Sequence, residues 1–165
     1  MEHFDPAPWI KNSQKVTDIF GRWPSFHDAE IQEVRLFTAD GEPWSIGSDS
    51  PVMEMAIHFF EMTKDVTPEG YFVLKNHTLA RFKFCNVEDL ELSDFWYQNC
   101  IFGLEFGTQT VSYPQGQRNG NAVDLLTVQI NSSVGLRGHF RCRSAEVLSA
   151  ELCDARGRMI FQPES

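Results

Sequence analysis

The chain has 165 residues, enough for one domain with a sizeable core and too few for two of ordinary size. Aromatic residues make up 13%, 14 of them Phe, which excludes a disordered chain because so much apolar mass is not left in water. Fourteen Lys and Arg against 23 Asp and Glu give a formal net charge of -9; that field repels nucleic-acid phosphate and anionic lipid, favours a basic partner, and in many proteins gives only solubility.

The segment from Met1 to Pro6 has neither a basic n-region nor an apolar h-region, and no later stretch approaches the roughly 18 apolar residues of a membrane span. The expected location is the cytoplasm. Asn12 or Ser13 is placed to cap a helix over 12–20, whose Val16, Ile19 and Phe20 share one face, and Gly21 supplies the stop. Trp23-Pro24 then holds the chain extended. A helix this short gains its stability from packing on something larger.

From residue 30 to residue 152 the pattern becomes period two. Met53, Met55, Ile57 and Phe59 alternate with Glu54, Ala56 and His58, and Phe82 and Phe84 alternate with Arg81, Lys83 and Cys85. Cys100 to Phe106, Leu126 to Ile130 and Leu136 to Cys142 alternate in the same way, while Ile31 to Thr38, Leu90 to Phe95 and Ala145 to Leu152 are further candidates. About seven or eight strands with one apolar and one wetter face predict antiparallel pairing. The expected fold is α+β and mostly β, a two-layer sandwich or strongly curled sheet with the short N-terminal helix packed on it, in a single domain over 1–165. Two polar stretches, Asp40 to Pro51 and Thr108 to Val123, read as loops. Cys85, Cys100, Cys142 and Cys153 lack C-x-x-C spacing and read as free thiols in or beside apolar runs.

The densest polar cluster is Ser25-Phe26-His27-Asp28-Ala29-Glu30. Imidazole titrates near neutrality and a neighbouring carboxylate fixes its tautomer, so His27, Asp28 and Glu30 suit a metal-dependent hydrolase. The bland alternative makes the cluster a helix-to-strand corner, with Trp23 and Phe26 filling the seam and the polar groups bonding the backbone. The second reading is preferred, since a catalytic metal needs about three ligands plus an open position and no second cluster supplies them. His58 and His139 fall among polar-phase residues and read as half-exposed. Arg137, His139, Arg141 and Arg143 form a basic stripe, extended by Arg81 and Lys83 if the strands adjoin; it is either a docking strip or a solvated face paired with Glu105 and other carboxylates.

The stretch Phe20-Gly21-Arg22-Trp23-Pro24-Ser25-Phe26-His27-Asp28-Ala29-Glu30-Ile31 resembles the immunity protein 50 family of bacterial polymorphic toxin systems. Phe84 to Phe95, Gln98-Asn99-Cys100-Ile101 and Gly135 to Cys142 are similar to it as well, although Trp96-Tyr97 stand where a smaller polar residue belongs. The resemblance implies a cytoplasmic α+β protein that binds and neutralises a cognate toxin domain, with no cofactor, no metal and no catalytic residue. An acidic chain suits a basic, nuclease-type toxin. Specificity in such binders sits in loops and exposed edges, so Glu42 and Trp44 in the first polar loop and Tyr113, Gln117, Arg118, Asn119 and Asn121 in the second are the candidate contact residues. A homodimer through an exposed strand, or a self-associating β module, stands beside this reading.

Overall fold

Period-two alternation yields strands, and the computed structural model, which describes residues 3–38, 49–114 and 122–160, joins nine of them in one sheet. In chain order they are β1 (Ile10–Lys11), β2 (Glu30–Phe37), β3 (Val52–Val66), β4 (Phe72–Cys85), β5 (Glu88–Ser93), β6 (Cys100–Ser112), β7 (Ala122–Val134), β8 (Arg137–Cys142) and β9 (Ser144–Leu152). Helix α1 (Gln14–Phe20) lies between β1 and β2. The order across the sheet is β1-β9-β4-β3-β2-β6-β7-β8-β5, and only the short β1–β9 pair is parallel. The mostly β, antiparallel expectation holds, and of its two forms the curled sheet is the one present.

Curling follows from where the large side chains lie. Phe84 on β4, third in the order, packs edge-on against Phe140 on β8, eighth in the order, with ring centroids 4.9 Å apart. The backbone follows, as Arg143 N–H beyond β8 donates to the Cys85 carbonyl at the end of β4 (3.1 Å). One face of the sheet thus wraps a core of Phe26, Phe59, Phe82, Phe84 and Phe140 with Met53, Met55 and Ile57. Cys142 sits in the same core, and burial pushes its thiol up to about 12.

Helix α1 plugs one end. Val16 is buried and Phe20 stacks on Phe59 at 5.1 Å, while Gly21 ends the helix at φ 74°. The expected side-chain cap is absent. Ser13 occupies the N-cap position without a capping hydrogen bond, and Asn12, at φ 59°, donates instead to Glu146 Oε1 on β9 at 3.0 Å. Its amide ties the helix to the sheet rather than to its own first turn.

The corner between α1 and β2 divides by side chain. The Trp23 ring packs edge-on against Phe26, Phe82 and Phe106 at 5.7, 6.1 and 5.8 Å. Phe26 reaches deeper, 4.8 Å from Phe59, from a backbone at φ 59°, a conformation that costs a bulky residue of order 1–3 kcal/mol. Burial of the ring offsets that cost. Between these two, Ser25 Oγ accepts the His27 N–H, and Asp28 N–H donates to the Ile101 carbonyl at 3.0 Å to start the contact with β6.

Several expected boundaries and faces move. Strands β3 and β4 continue as a hairpin to Val66 and from Phe72, and β6 and β7 consume Thr108–Ser112 and 122–123 of the stretch read as loop. These arms are polar or apolar on both sides because they project past the core, so alternation does not mark them. On β3 the polar phase is not uniformly wet: Ala56 and His58 are both buried. The turn after β9 covers His58, with Cys153 N–H donating to the His77 carbonyl and Asp154 Oδ1 accepting the N–H groups of Arg156 and Arg158 at 2.9 Å. Gly157, at φ 74°, suits a backbone that other residues rarely adopt, and a side chain there would displace the Gln32 amide and crowd the His58 ring.

Replacing Phe26 by Ala empties a core position and should cost about 3–5 kcal/mol in denaturant unfolding. A loss under 1 kcal/mol would show that the corner is not a packing joint.

Candidate functional site

Two surfaces collect residues whose exposure the fold itself does not require. The first is the connection from β5 to β6. Asp94 turns the chain at φ 62°, so Phe95, expected as the last residue of a strand, lies beyond the end of β5. Phe95, Trp96 and Tyr97 then stand 54%, 64% and 86% exposed, with the Trp96 and Tyr97 rings 5.7 Å apart. Exposed aromatics on a soft loop fold back onto apolar surface; here the backbone is braced. Asn99, buried, accepts the Trp96 N–H at Oδ1 (2.9 Å), donates from Nδ2 to the Trp96 carbonyl (2.9 Å) and accepts the buried Leu136 N–H at Oδ1 (3.0 Å). Gly135 completes the brace, since a side chain there would collide with the Gln98 carbonyl and the Asn99 amide.

The second surface is a cleft between β2 and β5. β2 meets β6 only around Glu30, where Ile101 N–H donates to the Ala29 carbonyl and Ile31 N–H to the Asn99 carbonyl, both at 3.0 Å. Among the described residues, β2 from Glu33 onward pairs with β3 alone, and β5 pairs only with β8. Two cavities of about 350 and 570 Å³ follow the gap. Val34 shares the first with Leu92, Asp94 and Phe95, and Leu36 and Phe37 share the second with Asp89 and Leu90. The floor is apolar, and at the rim Leu36 is 56% exposed.

Electrostatics around β5 settle the basic stripe on β8. Arg141 Nε donates to Glu88 Oε1 at 2.8 Å, Arg137 Nε lies 3.2 Å from Asp94, and His139 Nε2 lies 3.5 Å from Glu91 and 3.8 Å from Asp89. Through Arg137, His139 and Arg141 the stripe faces carboxylates, as one of its two readings expected, but they come from β5 and Asp94 just after it rather than from Glu105, which lies on β6 opposite Gln129; Arg143, past the end of β8, is exposed. Gly138 permits that strand to lie close, for a side chain there would run into the Glu91 carbonyl. Arg81 and Lys83 do not extend the stripe. They sit on β4, where Arg81 bonds Glu33 at 3.2 Å and holds its carboxyl below the usual range, and Lys83 lies 3.9 Å from Asp49.

The residues singled out from sequence are dispersed. Trp23 and Phe26 face the core, Pro24 is half-buried and Ser25 exposed, and the His27 and Asp28 side chains point outward, with His27 Nδ1 3.1 Å from Asp28 Oδ2 and the imidazole 6.5 Å from the exposed Phe102 ring. Glu30 is half-buried opposite His58 on β3. His27, Asp28 and Glu30 do not converge: among the described residues no three His, Cys, Asp or Glu side chains come together to hold a metal ion. Tyr113 donates from its hydroxyl to Glu88 Oε1 at 2.7 Å, tying the end of β6 to β5. Glu42, Trp44, Gln117, Arg118, Asn119 and Asn121 lie outside the described residues. Sequence reasoning missed the braced aromatics, although the signal was present: three consecutive aromatics break the alternation just before Gln98-Asn99.

His58, expected half-exposed, is 6% exposed, with Nε2 3.0 Å from His77 Nδ1. Burial first, and the neighbouring His77 second, lower its pKa from 6.5, against a smaller opposing pull from Asp154.

Set against known families, the model for the family described as immunity protein 50 matches residues 12–152. No curated protein and no solved structure matches the chain.

Two outcomes are expected. Asn99→Ala strands the buried Leu136 N–H and should cost on the order of 2–3 kcal/mol, with faster amide exchange across 95–97; unchanged exchange would remove the brace. For His58, the imidazole is neutral in folded and unfolded chains above pH 6.5. Below that value the unfolded residue takes up a proton that the folded one resists, so stability declines as pH falls from 6.5 toward the lowered folded value. The melting temperature should drop over that interval and drop less in His58→Gln, and equal slopes would sink the assignment.

Proposed function

The chain belongs to the immunity protein 50 family, and from that membership we propose that it binds a cognate toxin domain stoichiometrically and blocks it, with no catalysis of its own. The observation that carries the reading is the extent of the match, 12–152, which takes in α1, the 23–30 corner and the strands through β9. In this reading the whole chain is one domain acting in the cytoplasm. Its net charge of -9 favours a basic, nuclease-type toxin through steering and complementarity.

The contact surface includes the loop 95–97. Trp and Tyr dominate interface hot spots because each buries a large rigid area for few rotatable bonds, and a braced backbone leaves little ordering to be lost on binding. Trp96 and Tyr97 meet that description. Glu42, Trp44, Tyr113, Gln117, Arg118, Asn119 and Asn121 remain proposed contacts from the two polar stretches.

Co-expression with the toxin domain encoded next to this chain's gene tests the reading. Restored growth and a 1:1 complex are expected; growth that no neighbouring toxin domain makes dependent on this chain would sink it. Within a complex, Trp96→Ala or Tyr97→Ala should raise the Kd about thirtyfold, roughly 2 kcal/mol, with an unchanged melting temperature. Tight binding by both variants would move the contact elsewhere.

A further inference from the structure

We infer that the cleft between β2 and β5 receives an extended, basic and apolar segment of the toxin as an added strand on the free edge of β2. The inference rests on the proposed function and names the mode of that contact. Its premises are the split in the sheet, the shape of the gap and its charge.

Beyond Ile31 the sheet opens. β2 leaves β6 and presents Glu33–Phe37 as an edge with no strand partner among the described residues, and β5 does the same over Leu90–Ser93 on the other bank. Open edges carry main-chain donors and acceptors ready for another strand, and native sheets ordinarily block them with charge, bulges or covering segments. This one is lined by Val34, Leu36, Phe37, Leu90 and Leu92. Val34 lies across from Leu92–Phe95 and Leu36–Thr38 across from Val87–Leu90, so the banks run antiparallel. A strand of about five residues spans the β2 edge at about 3.3 Å per residue. Every second side chain of that strand drops onto the apolar floor, and the braced aromatics stand at its end, since Phe95 lines the first cavity.

Charge selects the occupant. Asp94 lines the first cavity and Asp89 the second, with Glu91 beside them, and no Lys or Arg is among the described residues lining either. Glu88, which also lines the second, is already held by Arg141 and Tyr113, while Arg137 and His139 approach the other carboxylates from the β8 side of β5. Lys or Arg at the alternate, outward positions of an incoming strand meets the acidic bank, whereas an acidic segment is repelled. A second copy of this chain, itself at -9, is a poorer match than a basic toxin.

Amide hydrogen exchange on the chain alone and in complex with the toxin domain identified by the protection assay tests this. Protection gained on binding over 33–37 and 90–93 is expected. So is a Kd raised at least tenfold by Leu36→Lys or Leu90→Lys, and raised also by added salt, with Met62→Lys on the β3–β4 hairpin unaffected. A complex that forms with protection elsewhere, or that Met62→Lys weakens while Leu36→Lys does not, overturns the inference and leaves the proposed function standing. Absence of any complex overturns both. Protection of 33–37 already present in the free chain, and lost when 40–47 is replaced by a Gly-Ser linker or when the protein is diluted, assigns the cleft to the chain's own segment or to a second copy, and overturns it too.

Discussion

Contact between Phe84 and Phe140 across the folded sheet is what the rest of this architecture depends on. A flat antiparallel sheet leaves one apolar face in water, and the described residues hold only one short α-helix to cover it. Bringing the third and eighth strands together solves most of that problem, and α1 with the Trp23–Phe26 corner fills the open end. At β2 the sheet divides: the strand stays paired with β3 to Phe37 but leaves β6 after the first residues, and the cleft opens there.

The elements built from core alternation were legible in the sequence. Met53 to Phe59 and Phe82 to Phe84 fall in the strands their pattern indicated, because one buried face writes a period of two; Cys100 to Phe106 falls in β6 as indicated, but an irregularity at Ile101 buries that residue and leaves Phe102, expected on the apolar face, 59% exposed. What was illegible has physical reasons. The outer halves of β3, β4, β6 and β7 leave the core, and no inside-outside contrast remains to be written there. His58 looks like a surface residue until the turn carrying Asp154 lies over it, and that turn is held by hydrogen bonds whose partners are far apart in sequence or are backbone atoms. The polar stripe on β8 could not name its partners, since β5 reaches it only through the fold.

The candidate surfaces follow the same division. His27 and Asp28 drew attention because their chemistry is dense, yet the large apolar members of that motif, Trp23 and Phe26, face the core, and Glu30 does not join His27 and Asp28 in a set of three. The residues of greater interest, Phe95 to Tyr97 and the rim of the cleft, carry no reactive group. Their signal is displacement: large apolar side chains held in water by a backbone that has its own reasons to be rigid. Sequence pattern reads apolarity well and exposure poorly, so an exposed apolar surface of this kind emerges only once the neighbours are in place.

Asn99 makes all three of its bonds to main-chain atoms, the Trp96 N–H and carbonyl and the Leu136 N–H. None of them reads a side chain at 95, 96 or 97. The loop is therefore a socket whose shape is independent of what is mounted in it, and a lineage can exchange those three residues without touching the scaffold. Backbone shape and side-chain identity are set by different groups at this point of the chain, so substitutions at Trp96 and Tyr97 leave the Asn99 hydrogen bonds in place.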